Sequence, residues 1–220
     1  DIAADTYAYT AWFNDMSAFV PPWAHDGGKE RLLERLKDPT TRARIKADML
    51  KPSSEWDNEW HEVTGPEGIL VGVVHNPALK SLQGQTIREI AAARNTDPLD
   101  TLLDILAADD AASECAVFGM DEADVAYALR QPWTSINNDS SGASTEGLLG
   151  SFHPHPRAFG TFPRVLRKYV REEHLLSLED AVRKFSALPA ARLRLNDRGL
   201  VTTGLWADLV VFDPASITDL

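Results

Sequence analysis

The stretch 132-PWTSINND-139 runs from a short apolar segment directly into a carboxylate. Short apolar runs that are bounded by turn-forming residues are typical of buried strands. Asp139 is therefore predicted to lie where a strand ends and a loop begins, the position at which α/β barrels carry metal ligands and proton carriers. The flanking asparagines and serines equally favour an aspartate that only caps a turn, and the pattern leaves both interpretations open.

Outward from this stretch, short apolar runs alternate with segments of helical periodicity. Further strands are predicted over 1–12, 68–74, 115–118 and 205–213. Helical stripes are predicted at Leu32–Leu36, Ile45–Met49, Leu82–Ile90, Leu99–Leu106, Val125–Leu129, Val165–Val170 and Val182–Phe185. This alternation predicts an α/β fold with parallel strand pairing. The strands are too few to close an eight-stranded barrel, which needs about 250 residues, so we expect a partial barrel at most.

Capping residues mark several predicted helix starts. Asp38-Pro39 and Asp97-Pro98 each combine an N-cap carboxylate with a proline at the first helical position. Asp121 is an N-cap, and Ser177 begins a capping box of the S-x-x-D kind that ends at Asp180. Thr161-Phe162-Pro163 carries a similar signature, so another helix is predicted to begin after Thr161.

The overall charge argues against two classes of partner. The 220 residues include 33 acidic and 22 basic side chains, for a net charge of -11. Such a surface repels phosphate backbones and anionic lipids, so neither nucleic acid nor a membrane is expected as a partner.

Other features concern location and context. The single cysteine, Cys115, is expected to be a buried thiol, and a cytoplasmic location is favoured. No apolar run reaches the roughly 20 residues that a transmembrane helix needs. The first residues resemble no signal peptide and include no initiator methionine, so we expect DIAADTYAYTAW to come from the middle of a longer protein.

Three polar features could carry chemistry. His153 and His155 form an H-x-H pair, but the intervening prolines disfavour a strand, so a loop-ordering or substrate-facing role is favoured over metal binding. Arg157 carries a planar fork of donors that suits a carboxylate, although a surface arginine is the commoner case. The serines after Asp139 lie outside any G-x-S-x-G context, which disfavours a serine hydrolase.

Several motifs together resemble one enzyme family. NNDSSG at 137–142, the run HPHPRAFGTFPRVLRKYVREE at 153–173 and the ending GLWADLVVFDP at 204–214 resemble the C-terminal part of the N-acyl-D-amino-acid deacylases, or D-aminoacylases, of the amidohydrolase superfamily. DIAADTYAYTAW and VFGMDEADV are also similar to that family, so the likeness extends over nearly the whole chain.

The resemblance implies a zinc-dependent hydrolase with a (β/α)8 barrel and a small β-domain. In that family a zinc-activated water attacks the amide of an N-acyl-D-amino acid, which yields a carboxylate and the free D-amino acid. Asp139 matches the aspartate that contacts the metal and carries the proton to the leaving nitrogen. Arg157 matches the residue that binds the substrate's α-carboxylate, and Tyr7 would assist it.

The chain departs from the family in two motifs and in its metal ligands. The family's YPY is Tyr7-Ala8-Tyr9 here, with Phe13 at the position of a serine, and its SDG is Asn138-Asp139-Ser140. The family's main metal ligands lie upstream of anything present. The isolated chain is therefore expected to be inactive and to need the upstream part of the barrel.

The resemblance also suggests a division of the chain by role. Residues 1–19 would form the penultimate barrel strand, and 20–131 a helical lid insertion with barrel elements. Residues 132–196 would form the last strand, the active-site loop and C-terminal helices, and 197–220 strands of the small β-domain. Trp23, Trp56 and Trp60 would be apolar wall residues of the lid.

Two alternatives stay open. The enzyme could act on another amide, such as a dipeptide or a cyclic amide, because relatives share the barrel and differ in their loops. Alternatively, the chain could be a non-catalytic fragment, an interaction or folding module that needs an upstream partner segment.

Overall fold

A computed structural model describes residues 2–148, 150 and 154–219 of the chain. They fall into two compact units, each assembled from separated stretches. The first unit comprises Asp1–Thr10, Met120–Leu149 and Pro156–Leu220, and the second comprises Ala11–Gly119 and Gly150–His155. The division by role at 1–19, 20–131, 132–196 and 197–220 follows function rather than compactness, and it stays a prediction.

Short strands and helices alternate along both units. The strands are β1 (Ala4–Thr6), β2 (Trp12–Asp15), β3 (Ile69–Val73), β4 (Glu114–Val117) and β5 (Thr134–Ile136). The helices are α1 (Lys29–Lys37), α2 (Pro39–Met49), α3 (Glu59–Glu62), α4 (Ile87–Arg94), α5 (Pro98–Ala108), α6 (Glu122–Arg130), α7 (Arg157–Arg164), α8 (Leu178–Phe185) and α9 (Ala187–Arg192). A π-helical segment, Val165–Glu172, continues α7, and 3-10 turns cover Met16–Phe19, Pro22–His25, Pro66–Gly68 and Pro77–Leu82. The predicted α/β class is confirmed.

The first unit contains the one parallel pair among the described strands. β1 pairs with β5 in the register Ala4↔Thr134 to Thr6↔Ile136, and the Asn137 amide continues the ladder by donating to the Thr6 carbonyl at 3.0 Å. Packed side chains of α6, the π-helical segment and α8 bury Ile136. The carboxyl ends of β1 and β5 consequently meet at one edge, and the chain that follows each strand starts there.

The second unit corrects the expectation of parallel pairing. Its sheet has the order β2-β4-β3, and both pairs are antiparallel. The apolar runs at β3 and β4 correctly predicted buried strands, but periodicity carries no information about the direction of a partner. A core of leucine, isoleucine and valine from α1, α2, α4, α5 and the sheet fills this unit.

The capping predictions are mostly confirmed. The Asp38 carboxylate accepts from the Thr41 amide at 2.7 Å, where α2 begins. Asp97 and Asp121 cap α5 and α6 in the same way, and Ser177 caps α8 through the Asp180 amide. These capping signals depend only on amides two or three residues away, so they do not depend on tertiary contacts elsewhere in the chain.

The predicted start after Thr161 is wrong. The helix α7 begins four residues earlier at Arg157, and Pro163 lies inside it. Proline removes the amide that would bond one turn back, and the segment that follows is π-helical, with the Glu173 amide donating to the Lys168 carbonyl at 2.8 Å. Thr161 is buried, and its hydroxyl donates to the Arg157 carbonyl at 3.0 Å.

Three other elements differ from prediction. The helix expected over 82–90 begins only at Ile87, after a 3-10 turn. The strand expected over 1–12 is interrupted, with β1 and the start of β2 on either side of a loop. Residues 205–213 form no strand, although their sequence is β-rich, because none of the described strands pairs with them. Val210 and Val211 are accordingly exposed.

Within the described ranges, none of the helices has the length and apolar composition that crossing a bilayer requires.

Candidate functional site

The parallel pair in the first unit places two predicted site residues at the same edge. Tyr7 directly follows the last residue of β1, and Asp139 is the third residue after β5. Because parallel strands end at the same side, both side chains emerge where α/β folds carry their sites.

Arg157, the first residue of α7, contacts both of them. Its Nη2 lies 2.8 Å from the Asp139 Oδ2, and its Nε donates to the Asp139 carbonyl at 2.9 Å. The guanidinium carbon lies 4.6 Å from the centre of the Tyr7 ring, a cation-π distance. The structure therefore brings Tyr7, Asp139 and Arg157 together, although their separation along the chain gave no direct sign of it.

The arginine and the aspartate differ sharply in exposure. The Arg157 side chain is 6% exposed, whereas the Asp139 side chain is 60% exposed. A buried guanidinium in fixed contacts is held in one orientation, while an exposed carboxylate can still meet a ligand. Asp139 also has a φ of 41°, in the left-handed region that aspartate tolerates better than most residues. The turn-forming preference of this stretch and its candidate chemistry thus coexist.

Tyr7 is a neutral phenol at this site. Burial raises the pKa of Tyr7, Arg157 opposes that shift, and Asp139 adds to it. The hydroxyl lies 3.8 Å from the Met120 sulfur. At neutral pH the Tyr7 hydroxyl therefore keeps its proton, which points to the Met120 sulfur, and the Tyr7 ring is a flat surface against Arg157.

The histidines do not assemble a metal centre in the part of the chain that the structure describes. No group of three or more histidine, cysteine or acidic side chains there could hold a metal ion. His155 is buried, with its ring edge-on to Phe13 at 6.3 Å, and His153 lies outside the described residues. The loop-ordering or substrate-facing role of this pair stays a prediction.

Other predicted features lie in the second unit. Cys115 is fully buried, as predicted, and burial raises the pKa of its thiol. Trp23 donates from Nε1 to the Asp48 carboxylate at 3.0 Å, and with Trp56 it lines a cleft of about 440 Å³. Trp60 packs edge-on against Phe19.

Sequence reasoning missed a second arginine that contacts the loop after β1. Arg164, at the end of α7, donates from Nε to the Ala8 carbonyl at 2.6 Å, and its guanidinium carbon lies 4.8 Å from the centre of the Tyr9 ring. The available signal was the seven-residue spacing of Arg157 and Arg164, which places both on one helix face.

Comparison with known proteins identifies the family. A model of the amidohydrolase family matches residues 23–219. The chain belongs to the amidohydrolase family. The membership that its motifs predict is thereby confirmed.

Characterised members of the amidohydrolase family resemble parts of this chain. The N-acyl-D-aspartate deacylase of Alcaligenes xylosoxydans xylosoxydans is 49% identical over 102 residues, which are 46% of this chain and 19% of that enzyme. The N-acyl-D-glutamate deacylase and the D-aminoacylase of the same organism are 40% and 41% identical over 136 and 138 residues. These matches cover 62% and 63% of this chain, but only 25% and 26% of the two enzymes.

Solved amidohydrolase structures match the whole chain. The N-acyl-D-glutamate deacylase of Bordetella bronchiseptica, complexed with zinc and a phosphonate mimic of the tetrahedral intermediate, matches with a TM-score of 0.66 at 25% identity. A D-aminoacylase with a binuclear metal centre matches with a TM-score of 0.67 at 30% identity. In both comparisons this chain is fully covered and corresponds to about a third of the other, 35% and 34%.

Proposed function

We propose that this chain is part of a zinc-dependent N-acyl-D-amino-acid deacylase and supplies its proton-carrying aspartate and its carboxylate anchor. The observation that carries the proposal is the convergence of Tyr7, Asp139 and Arg157 at the ends of parallel strands. In this proposal β1 and β5 are neighbouring strands of a (β/α)8 barrel whose other strands come from sequence outside the 220 residues.

Arg157 and Tyr7 would bind the substrate's α-carboxylate. A guanidinium presents paired donors that match carboxylate oxygens, and because Nε and Nη2 of Arg157 contact Asp139, the substrate's carboxylate would share this guanidinium with Asp139. The Tyr7 ring holds the guanidinium plane in one orientation. Because the Tyr7 phenol is neutral, a substrate oxygen would replace the Met120 sulfur as the acceptor of its hydroxyl proton. This small charged clamp would recognise the part that all N-acyl amino acids share, and the acyl group and side chain would be selected elsewhere.

Asp139 would carry the proton. A carboxylate with this role must accept a proton from the attacking water and deliver it to the leaving nitrogen, so it must reach the reacting atoms. The 60% exposure of its side chain is consistent with that requirement. Its ion pair with Arg157 would fix the carboxylate beside the bound substrate.

The donor set fits zinc only in part. Asp139 offers a carboxylate oxygen, a donor that zinc accepts, but the described residues contain no group of three ligands. The remaining ligands would come from sequence outside this chain. When bound, zinc would polarise the amide carbonyl and lower the pKa of a water.

The lid role of 20–131 is part of the same proposal. Most of this segment lies in the second unit, which combines helices with an antiparallel sheet. A compact unit with its own core can exclude water from a site as one body. The Trp23 and Trp56 cleft is the proposed apolar wall. The cytoplasmic location stays a prediction.

Kinetics on the full-length gene product that contains these residues test the proposal. We expect hydrolysis of N-acyl-D-amino acids and little of the L-forms. Asp139→Asn is expected to lower kcat by about 10²- to 10⁴-fold, the usual contribution of a proton carrier. The exposed carboxylate of Asp124 on α6 provides the control, since Asp124→Asn should leave kcat unchanged. Unchanged hydrolysis by Asp139→Asn would overturn the assignment.

Two further arms address the alternatives. Turnover of dipeptides or cyclic amides, without turnover of N-acyl-D-amino acids, would show that the substrate is another amide. The 220 residues alone are expected to retain no zinc and to show no deacylation, while addition of the upstream segment should restore both. Robust turnover by the 220 residues alone would contradict the proposal that most zinc ligands come from sequence outside them.

A further inference from the structure

The loop after β1 is held against α7 by two stacked arginine-tyrosine pairs. Arg157 stacks on Tyr7 at 4.6 Å, and Arg164 stacks on Tyr9 at 4.8 Å. Seven residues make almost two full helical turns, so both arginines face the same side of α7. The second pair repeats the geometry of the first but lies outside the site described above.

Arg164 also binds the backbone between the two tyrosines. Ala8 is fully buried, and its carbonyl accepts from the Arg164 Nε at 2.6 Å. A buried carbonyl without a partner is costly, so the loop depends on this donor for its present path. The path of Ala8 in turn determines where the neighbouring Tyr7 ring lies.

Asp219 fixes the orientation of Arg164. The Asp219 side chain is 10% exposed, and its Oδ2 lies 3.2 Å from the Arg164 Nη1. The other oxygen, Oδ1, accepts from the Arg167 Nε at 2.7 Å. The guanidinium of Arg164 is therefore held on three sides, by a carboxylate, a carbonyl and an aromatic ring.

Gly160 gives Tyr9 the room it needs. It lies between the two arginines on α7, and a Cβ placed there would overlap the Tyr9 hydroxyl oxygen. The next nearest atoms, the Asp219 Cβ at 3.5 Å and the Tyr9 Cζ at 3.6 Å, would be in ordinary van der Waals contact. The absence of a side chain at Gly160 therefore matters for one atom of Tyr9.

We propose that Arg164 and Gly160 are positioning residues that hold Tyr7 against Arg157 and so set the affinity of the site for the substrate's carboxylate. The inference rests on the proposed function, because it takes Arg157 and Tyr7 as the carboxylate anchor. Neither positioning residue touches substrate. Both act through the path of residues 7–9.

Arg164→Gln in the full-length gene product tests the inference by separating KM from kcat. The substitution removes a hydrogen bond from a charged donor. The free energy that such a bond typically contributes corresponds to about a tenfold change in a binding constant. We expect KM for an N-acyl-D-amino acid to rise about tenfold while kcat changes less than about threefold. The inhibition constant of the product D-amino acid, which carries the same carboxylate, should rise by the same factor.

Arg171→Gln is the matched control. Arg171 lies seven residues further along the same helical stretch, and its Nη1 donates to the Pro214 and Ile217 carbonyls at 3.0 and 2.8 Å. Its loss removes comparable contacts from the same helix without touching residues 7–9. We expect a similar drop in melting temperature and an unchanged KM. An equal rise in KM for Arg171→Gln would show that the effect of Arg164→Gln comes from a general loss of stability, which would overturn the inference.

Gly160→Ala supplies a second test with a rescue. The added methyl should displace Tyr9 and raise KM, whereas the double variant Gly160→Ala/Tyr9→Phe, which lacks the clashing oxygen, should return KM towards the wild-type value. If the wild-type enzyme hydrolyses N-acyl-D-amino acids but KM rises in neither Arg164→Gln nor Gly160→Ala, this inference is overturned while the proposed function stands. A wild-type protein without that activity would overturn the proposed function and this inference with it.

Discussion

Lys184 is the buried cation whose removal should most weaken the parallel strand pair. It lies on α8 with no exposed surface, and its Nζ donates to the Thr134 carbonyl at 3.2 Å and, over a shorter distance, to the Gln131 carbonyl. These carbonyls belong to the end of α6 and the start of β5. Lys184→Met keeps a long unbranched side chain but leaves both carbonyls without this donor.

The size of the effect follows from two opposing terms. A hydrogen bond from a charged donor contributes about 1.5–3 kcal/mol, so two of them contribute about 3–6 kcal/mol. Removing a buried charge also recovers part of its desolvation cost. We therefore expect Lys184→Met to lower the free energy of unfolding by about 2–4 kcal/mol at neutral pH.

The pH dependence adds an independent check. Burial lowers the pKa of Lys184, Asp180 opposes that shift, and Arg183 and Arg192 add to it. The unfolded lysine, with a pKa of about 10.4, then binds more protons than the folded one as the pH approaches that value. The wild type should gain stability relative to Lys184→Met as the pH rises towards about 10.4, so the difference between their free energies of unfolding should widen.

Urea unfolding and hydrogen exchange measure both effects. Exchange of the amides over 131–137 reports the local free energy of opening at β5. Lys37→Met, at an exposed lysine of α1, is the control and should cost less than about 1 kcal/mol. A loss for Lys184→Met no larger than the control, or a gap that narrows as the pH rises, would refute the reasoning.

Three further expectations concern single residues. Asp97→Ala removes the acceptor for the Asp100 amide at 3.0 Å and should lower the free energy of unfolding by about 1 kcal/mol in urea titrations, whereas no loss would contradict the capping role. Burial raises the pKa of Glu59, whose Oε1 accepts a hydrogen bond from Asn14 at 2.5 Å. The protonated carboxyl therefore stabilises the fold below the unfolded pKa of about 4.3, and this stability is lost as the pH rises through the pKa of the folded state. The wild type should therefore lose stability relative to Glu59→Gln as the pH rises above about 4.3, and a difference that stays constant with pH would contradict that sign. The buried Cys115 thiol should react with thiol reagents only after denaturation, and rapid labelling of the native protein would show that it is accessible.

Local signals in the sequence predicted local structure well. Asp38-Pro39, Asp97-Pro98 and Ser177 begin helices as expected, since a cap needs only the amides two or three residues further along. The same reasoning failed for Thr161. The helix begins earlier, at Arg157, whose side chain contacts Tyr7 and Asp139, and it accommodates Pro163 in its interior. These contacts are distant in sequence, so a local signal does not contain them. On α8, the predicted apolar face contains Val182, which is 40% exposed, while Lys184 is fully buried.

By itself, the sequence determined the α/β class, most helix positions, the burial of Cys115 and the family to which the chain belongs. It also singled out Asp139, Arg157 and Tyr7, through residue chemistry and through motifs that resemble the deacylases. Only the tertiary structure decided that these three touch, that β2, β3 and β4 pair antiparallel, and that 205–213 forms no strand. The physical reason is that periodicity and caps act within a few residues, whereas strand partners and ion pairs join positions far apart in the chain. Tyr7 and Asp139, 132 positions apart, lie at one edge because β1 and β5 run parallel, and Arg157 at the start of α7 contacts both of them.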